Sequence, residues 1–348
     1  MGKLDCCIEI RSLGGESLGS NRVNLTLAVS DYDHVRDLTN GIVPIEGVEL
    51  KVLTFDVEEI FYRFLKFREW DISELSFAKY VSLASQPDCD ITALPIFPSR
   101  VFRQSSFYVR TDGPTSIEEL RGKTVGIPEW AQTASVYSRG YLTETVGIPL
   151  TEIQWVQAGV NQAGRVEKVA LRIPEGVRYR SEPTKSLNDM LLDGELDVVM
   201  SAHAPHSFEE GDQRIRRILP NYQQAEYQYW QDTKIFPIMH VIAIKKSVLA
   251  ENPWVAMNVF KAFEEAKRRS VERLFDVTAS RFPLPWARVF ADQISELFGK
   301  DGYWPYGVEP NRPTISAFLR FAYDQGVTHK PLEVEELFPE GVQSSFRV

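Results

Sequence analysis

The sequence predicts an α/β protein of about two domains, built on mainly parallel sheets with antiparallel additions. Segments with strand periodicity alternate with helical segments of about ten residues, which is the pattern of βαβ units. Residues 105–110 follow another predicted strand too closely for a crossover helix, so we expect them to pair antiparallel. The chain has 348 residues, and one domain commonly takes ~150 residues.

The elements of the first domain begin after residues 1–21, which lack periodicity and are predicted to form a flexible tail. Alternating apolar residues predict strands at 23–30 and 48–55. Apolar residues three and four apart predict a helix over 58–68. The same domain is completed by a short strand before Ser76, a helix over 77–85 and a strand at 91–97.

A second domain is predicted to begin at the turn formed by residues 112–114. Its predicted elements are a short helix at 116–120, a strand at 123–128, a helix at 132–141, a strand at 154–157 and a helix, glycine turn and strand within 186–202. The chain then enters a long strand at 235–246 and ends in a run of helices.

Composition excludes several classes of protein. The 39 basic and 48 acidic residues give a net charge of −9, which argues against nucleic-acid binding but allows a small positive pocket. No apolar run reaches the ~18 residues of a membrane span, and the N-terminus lacks the apolar core of a secretory signal. Cys6, Cys7 and Cys89 form neither metal-type spacing nor a disulfide framework. We therefore expect a soluble cytoplasmic protein with no membrane partner.

Common cofactor and metal motifs are missing from the sequence. It contains no P-loop, no G-x-G-x-x-G and no G-x-S-x-G motif, which leaves phosphate, dinucleotide and serine-hydrolase chemistry without support. His203 and His206 are separated by Ala204 and Pro205, and Pro205 prevents the helix that would stack them. No third ligand is near in sequence, so no metal site is predicted.

Five segments, in this order, resemble those of one enzyme family: FPSRVFRQS (97–105), GIPEWAQTASVYSRGYL (126–142), FPIMH (236–240), WPYGVEPNR (304–312) and YDQGV with EELF (323–338). The family is that of the 4,5-dihydroxyphthalate decarboxylases. The order of elements is similar to the type II periplasmic-binding-protein fold, in which two α/β lobes with mixed sheets are joined by two crossings around a ligand cleft. The resemblance implies a first lobe of 22–111 with 235–348, a second lobe of 112–234, and crossings near 111–114 and 233–236.

The resemblance also implies an activity. It is the cofactor-independent decarboxylation of a hydroxylated aromatic dicarboxylate, such as 4,5-dihydroxyphthalate to 3,4-dihydroxybenzoate, by a homo-oligomer in aromatic-compound catabolism. This chemistry needs a cation for the retained carboxylate, an acid beside the ring carbon and a base for a phenol. Two alternatives remain open: a solute-binding protein for an aromatic or other organic anion, and another lyase or dehydratase on the same scaffold.

Three residues are the catalytic candidates. Arg100 follows a predicted strand end, where open α/β sheets bind ligands, and a guanidinium binds a carboxylate with two hydrogen bonds. His203 lies just beyond another strand, and His240 lies at the expected return to the first lobe. Imidazole suits acid–base work because its pKa lies near neutrality. The alternative interpretations are a surface ion pair for Arg100 and a core position for His240.

Other polar residues near predicted strand ends are the substrate-binding candidates. Gln132 and Thr133 begin a helix whose free amides attract carboxylates, although a threonine there more often caps its helix. Asp31 and Ser76 follow strands and could instead cap the next helices. Gln104 stands where the family pattern usually has a histidine. The remaining candidates are Arg103, Arg139, His206 and Arg312. The alternatives are a surface ion pair for Arg103, an ion pair with Glu129 for Arg139 and a contact with a neighbouring subunit for Arg312.

Overall fold

The computed structural model describes residues 22–279, 281–299, 302 and 304–344, and it places the strands in two separate sheets. The predicted tail at 1–21, with Cys6 and Cys7, lies outside the described residues. In chain order the strands are β1 (Val23–Ala28), β2 (Val48–Leu53), β3 (Ile72–Ser76), β4 (Ile91–Arg100), β5 (Phe107–Arg110), β6 (Thr124–Ile127), β7 (Gln154–Gly159), β8 (Arg178–Ser186), β9 (Val198–Met200), β10 (Ile215–Arg217) and β11 (Ile238–Lys245).

The helices lie against both sheets. In chain order they are α1 (Arg36–Thr39), α2 (Val57–Phe67), α3 (Phe77–Ala84), α4 (Thr133–Gly140), α5 (Leu187–Leu192), α6 (His206–Glu209), α7 (Tyr222–Thr233), α8 (Lys246–Glu251), α9 (Val255–Phe275), α10 (Ala287–Phe298) and α11 (Arg312–Asp324). The α2 helix has the apolar stripe that the sequence predicted, because Ile60 and Phe64 are buried one turn apart.

The first sheet has five strands in the order β2-β1-β3-β11-β4. The strands β1, β2 and β3 run parallel, whereas β11 is antiparallel to both of its neighbours. The return of the chain into the centre of this sheet makes the first lobe discontinuous, as the resemblance implied. We call this sheet and its helices the first lobe.

The second sheet has six strands in the order β10-β5-β9-β6-β7-β8. Its centre is parallel, and β5 is antiparallel to both β9 and β10. We call this sheet and its helices the second lobe. The prediction of two lobes with mixed sheets is confirmed by this topology.

The first passage between the lobes lies earlier in the chain than the expected residues 111–114. Because β5 pairs within the second sheet, the passage falls between Arg100 and Phe107. Antiparallel pairing of this segment was predicted, but not the sheet that it joins, since both sheets offer an edge to it. The strand β8 was not predicted, because it is a mostly exposed edge strand whose sequence, RYRSEPTKS, carries no apolar alternation.

The ends of several strands bring polar residues to the cleft. Ser76 ends β3, Met200 ends β9 shortly before His203, and β6 ends at Ile127, two residues before Glu129. In open α/β sheets the carboxyl ends of parallel strands border the ligand crevice. The site described below forms at this edge.

The C-terminal part of the chain is joined to the second lobe by Arg139. This arginine of α4 is fully buried and stacks 3.9 Å from the ring centre of Trp130. Its Nε donates to Gln325 Oε1 at 2.8 Å, and an Nη donates to the Trp130 carbonyl at 2.6 Å. Gln325 in turn donates to the Val136 carbonyl. The guanidinium therefore holds α4 against the residues that follow α11.

We expect Arg139→Ala to lower the free energy of unfolding by about 3 kcal/mol, because it leaves the buried Gln325 oxygen without a donor and opens a cavity beside Trp130. Urea unfolding followed by tryptophan fluorescence measures the change. Arg121→Ala is the control, since Arg121 makes an exposed ion pair with Glu152 that contributes about 0.5 kcal/mol. Equal effects of the two substitutions would contradict the structural role of Arg139.

Candidate active site

A cavity of about 230 Å³ lies between the two lobes. Its volume is near the lower end of ligand pockets, which commonly span ~300–1,000 Å³, so it has room for one small molecule. The first lobe supplies Ser76, Lys79 and His240, and the second lobe supplies Glu129, Lys168 and His203. Arg103 enters from the passage between the lobes. We call this space the inner cavity.

His240 is held in one orientation by Glu74. Its Nδ1 lies 2.6 Å from Glu74 Oε1, and its ring meets Phe61 edge-on with 4.8 Å between ring centres. An ionised carboxylate can only accept a hydrogen bond. Nδ1 therefore carries a proton and donates the hydrogen bond to Glu74. The ring nitrogen left for a ligand in the inner cavity is Nε2, which is a base in the neutral imidazole.

Glu74 is itself ionised although it is fully buried on β3. Burial alone raises the pKa of a carboxyl group, but hydrogen bonds from His240, from the Tyr32 hydroxyl and from the Ser30 amide lower the pKa of Glu74 below its usual value. The Tyr32 hydroxyl lies 2.6 Å from Glu74 Oε1. Burial beside this carboxylate raises the pKa of Tyr32, so the phenol stays protonated and remains a donor.

Arg103 is a cation without a carboxylate partner within 4 Å among the described residues. Its Nε and one Nη lie 3.3 Å and 2.9 Å from the Met239 sulfur, which is a weak acceptor. Burial lowers the pKa of Arg103 to about 10, which still leaves the guanidinium charged at neutral pH. A half-buried cation without a carboxylate in contact gains from an anionic ligand, and a carboxylate matches its planar fork.

Ser76 and Thr133 connect the lobes at the wall of the inner cavity. Their hydroxyl oxygens lie 2.9 Å apart. Thr133 Oγ1 also accepts a hydrogen bond of 3.0 Å from the Ala78 amide in the first turn of α3. Both residues were predicted to bind substrate or to cap their own helices. Neither side chain caps its own helix; instead Thr133 of the second lobe caps α3 of the first.

A group of charged side chains surrounds Glu129. Lys79 Nζ lies 2.5 Å from Glu129 Oε2, whereas Arg165 and Lys168 approach Oε1 at 2.7 Å and 3.3 Å. Burial alone raises the pKa of a carboxyl group, but Lys79, Lys168 and Arg165 together lower the pKa of Glu129 to about 2. Because Lys79 belongs to the first lobe and the other two cations to the second, Glu129 connects the lobes through charge.

A wider and more open cavity of about 800 Å³ borders the inner one. We call it the outer cavity. Four residues line both spaces: Val57, Glu58, Arg165 and His203. Arg165 and Glu58 form an ion pair of 3.0 Å across the two lobes at this boundary. The outer cavity therefore leads to the inner one past a charged pair.

The structure brings six of the predicted site residues to the inner cavity: Ser76, Arg103, Gln132, Thr133, His203 and His240. His206 lines only the outer cavity. The Gln132 side chain accepts a hydrogen bond of 3.3 Å from Ser135, and His203 is exposed at the boundary of the two cavities.

Arg100 and Gln104 do not line the inner cavity. The Arg100 guanidinium donates to the carbonyls of Phe236 and Pro305 and to Asn311 Oδ1, so it joins the passage between the lobes to the C-terminal segment. The Gln104 side chain is buried, and its Oε1 accepts from the Arg103 amide at 3.2 Å. These contacts occupy both side chains inside the protein, so we do not retain the clamp role expected for Arg100.

Three further candidates lie away from both cavities. Arg139 is buried against Trp130 and Gln325, as described above. Arg312 forms exposed ion pairs with Glu309 and Glu335. Asp31 is exposed and is absent from the cavity walls. None of the three is positioned to touch a ligand in the inner cavity.

Sequence reasoning missed the charged residues that lie inside elements. Glu74 lies in a β3 strand whose residues are all buried, and Lys79 lies on a buried face of α3. Glu129 directly follows β6 and its proline, while Arg165 and Lys168 lie in the long segment between β7 and β8. A single charged residue within the predicted strand before Ser76 was the available signal for Glu74, because a buried charge must be paired.

Two general features complete the description of the site. Among the described residues, no group of three or more His, Cys, Asp and Glu side chains is placed to hold a metal ion. None of the helices in the described part of the chain has both the length and the apolar character needed to cross a membrane.

Solved structures that share this architecture are periplasmic binding proteins and their relatives. The aliphatic sulphonate binding protein SsuA of Escherichia coli matches with a TM-score of 0.52 at 11% identity, over 92% of this chain and 99% of its own. A putative sulfonate-binding SsuA of Methylobacillus flagellatus gives 0.55 at 11% identity, over 92% of each chain. A Candida albicans protein described as having the generic periplasmic binding protein fold gives 0.52 at 11% identity, over 93% of this chain and 98% of its own. The chain has this fold.

Curated relatives give closer matches in sequence. A 4,5-dihydroxyphthalate decarboxylase of Comamonas testosteroni is 35% identical over 330 residues, which cover 94% of this chain and 100% of the relative. A 4,5-dihydroxyphthalate decarboxylase of Pseudomonas putida is 36% identical over 218 residues, which cover 62% of this chain and 84% of the relative. A scan against models of protein families finds no match. The similarity to the full length of the first relative shows that this chain belongs to the 4,5-dihydroxyphthalate decarboxylase family.

Proposed function

We propose that this protein decarboxylates 4,5-dihydroxyphthalate to 3,4-dihydroxybenzoate in the inner cavity, without a cofactor. The relatives of Comamonas testosteroni and Pseudomonas putida carry the name of this activity. The observation that carries the proposal is the His240–Glu74 pair at the wall of a positively charged cavity that admits one small molecule. An oriented base beside a carboxylate-binding cation is what a hydroxylated aromatic acid requires.

The reaction begins with the hydroxyl para to the departing carboxylate. His240 Nε2 takes the proton of this hydroxyl, and the imidazolium is stabilised by ionised Glu74 on its other nitrogen. The phenolate then supplies electron density to the ring carbon that bears the carboxylate. His203, which faces the cavity from the second lobe, delivers a proton to that carbon. Cleavage of the carbon–carbon bond releases CO₂ and returns its electron pair to the ring, which restores aromaticity.

Arg103 binds a carboxylate of the substrate during this sequence. Its guanidinium is partly buried, and its hydrogen bonds among the described residues go to the Met239 sulfur, so a carboxylate in the inner cavity gives it an anionic partner at contact distance. Met239 and His240 are neighbours on β11, which places this cation close to the base. The arrangement fixes the ring with one carboxylate on Arg103.

We also propose a cellular location and an oligomeric state for the protein. We place the enzyme in the cytoplasm, in accord with Cys89, which is a free thiol. We also propose a homo-oligomer. Support comes from the exposed apolar side chains on and just before α10, namely Trp286, Val289, Phe290 and Ile294, because exposed apolar patches commonly mark association surfaces.

Wild-type protein incubated with 4,5-dihydroxyphthalate is expected to release CO₂ and to form 3,4-dihydroxybenzoate. We expect His240→Ala to lower kcat by a factor of about 10²–10³, because the variant loses an oriented base. Binding of unreactive phthalate, measured by calorimetry, should change only a few-fold. His206→Gln is the matched control, since His206 lines only the outer cavity and should retain most of kcat. Normal turnover by His240→Ala would refute the assigned role.

Arg103→Met is expected to weaken phthalate binding and to raise KM by about tenfold to a hundredfold, because a hydrogen-bonded charge pair with the ligand is lost. Calorimetry and steady-state kinetics measure the two effects. Arg312→Met removes the same formal charge outside the cavities and should leave both values within about twofold of wild type. A similar loss in both variants would indicate that overall charge, rather than Arg103, attracts the substrate.

The closed arrangement of the lobes should weaken in acid because of Glu129. The pKa of Glu129 is about 2 in the folded protein, whereas a glutamate of the unfolded chain titrates near ~4.3. The unfolded state therefore takes up the proton first. The stabilisation is complete above about pH 5 and declines as the pH falls toward 2, with a loss of about 2 kcal/mol by pH 3.

We expect Glu129→Gln to reduce this acid dependence by a comparable amount, while also lowering stability at pH 7 because three cations lose their partner. Urea unfolding between pH 7 and pH 3 measures both effects. Glu296→Gln, at an exposed position of α10, is the control and should keep the wild-type pH dependence. If the free energy of unfolding of Glu129→Gln falls with acid as steeply as that of wild type, other carboxylates govern acid unfolding.

A further inference from the structure

The inner cavity is positively charged inside an acidic protein. Its walls carry four cationic side chains, Lys79, Arg103, Arg165 and Lys168, and two carboxylates, Glu58 and Glu129. With the histidines neutral, these side chains have a net formal charge of +2. Glu167, which is outside the cavity lining, reduces this charge by pairing with Lys79. The whole chain carries −9. The cavity thus favours an anion that the rest of the protein repels.

Two of these cations are fully engaged by carboxylates. Lys79 lies between Glu129 at 2.5 Å and Glu167 at 2.9 Å. Arg165 lies between Glu129 at 2.7 Å and Glu58 at 3.0 Å. Each cation therefore has two anionic partners, which neutralise its charge before a ligand binds.

Lys168 has the weakest pairing of the three cations that surround Glu129. Its one ion pair among the described residues is with Glu129 Oε1 at 3.3 Å, and Arg165 already holds that oxygen at 2.7 Å. The Lys168 side chain is 26% exposed, so it can turn toward a ligand without crossing the protein interior. Lys168 and Arg103 are thus the cavity cations whose charge is least neutralised.

We infer that Lys168 binds the second carboxylate of an aromatic dicarboxylate whose first carboxylate lies on Arg103. This inference rests on the proposed function and names the residue that selects a dicarboxylate over a monocarboxylate. Arg103 lies in the passage between the lobes and Lys168 in the second lobe, so the two cations reach a ligand from different elements of the cavity wall. The product 3,4-dihydroxybenzoate keeps one carboxylate and loses the contact with Lys168, which favours its release.

The test measures binding of phthalate and of benzoate, which differ by one carboxylate and need no turnover. Wild-type protein should prefer phthalate. Lys168→Met should weaken phthalate binding about tenfold, the size of one lost charged hydrogen bond, and should change benzoate binding less than twofold. Lys168→Arg should restore the preference for phthalate. Thermal unfolding of each variant, compared with wild type, shows that the fold is retained.

Lys185→Met serves as the matched control, because it removes a lysine from an exposed ion pair with Glu195 outside the cavities. The inference is overturned if Lys168→Met weakens both ligands equally, if it weakens neither, or if wild-type protein does not prefer phthalate. Failure of the proposed function gives a different result: phthalate is bound selectively through Lys168, yet 4,5-dihydroxyphthalate releases no CO₂.

Discussion

The shared carboxylate of Glu129 is the interaction on which the arrangement of this site depends. It neutralises a lysine of one lobe and an arginine and a lysine of the other, all in contact with the space where a ligand fits. Removing charges from water is costly, and their mutual attraction compensates only when the geometry is good. Closure of the lobes in this arrangement therefore pairs Lys79 of the first lobe with Glu129 and Glu167 of the second.

The reactive groups of the site come from both lobes. The first lobe supplies a base whose tautomer is fixed by a buried glutamate, and the second supplies a histidine on the opposite wall. The Arg103 guanidinium, which we propose binds a substrate carboxylate, lies in the passage between them. No single lobe holds all of these groups. A binding-protein scaffold thus becomes suited to catalysis when the surfaces that meet around its ligand carry groups that move protons.

Much of the fold was predictable from the sequence, and less of the site. The periodicity of residues 23–30 and 58–68 predicted a strand and a helix that bury one face, and the apolar run 91–97 predicted a strand that is almost wholly buried. His240 and Arg103 were predictable from the family resemblance and from their position at element ends. Glu74 and Lys79 were not, because a charge inside an apolar element gives no indication of its partner 50 or more residues away. The carboxylate-binding role expected for Arg100 was wrong for the same reason, since the carbonyls that accept its hydrogen bonds come from distant segments.

The hydroxyl of Thr133 has a consequence for how the cleft works. It supplies the cap of a helix that belongs to the opposite lobe, where the adjoining Ser76 side chain does not provide one. Separating the lobes therefore uncaps α3, which costs about 1 kcal/mol unless water takes the place of the hydroxyl. The Ala78 amide has its hydrogen-bond partner in Thr133 only while the cleft is closed. The capping of α3 and the closure of the cleft are in this way coupled through Thr133 Oγ1.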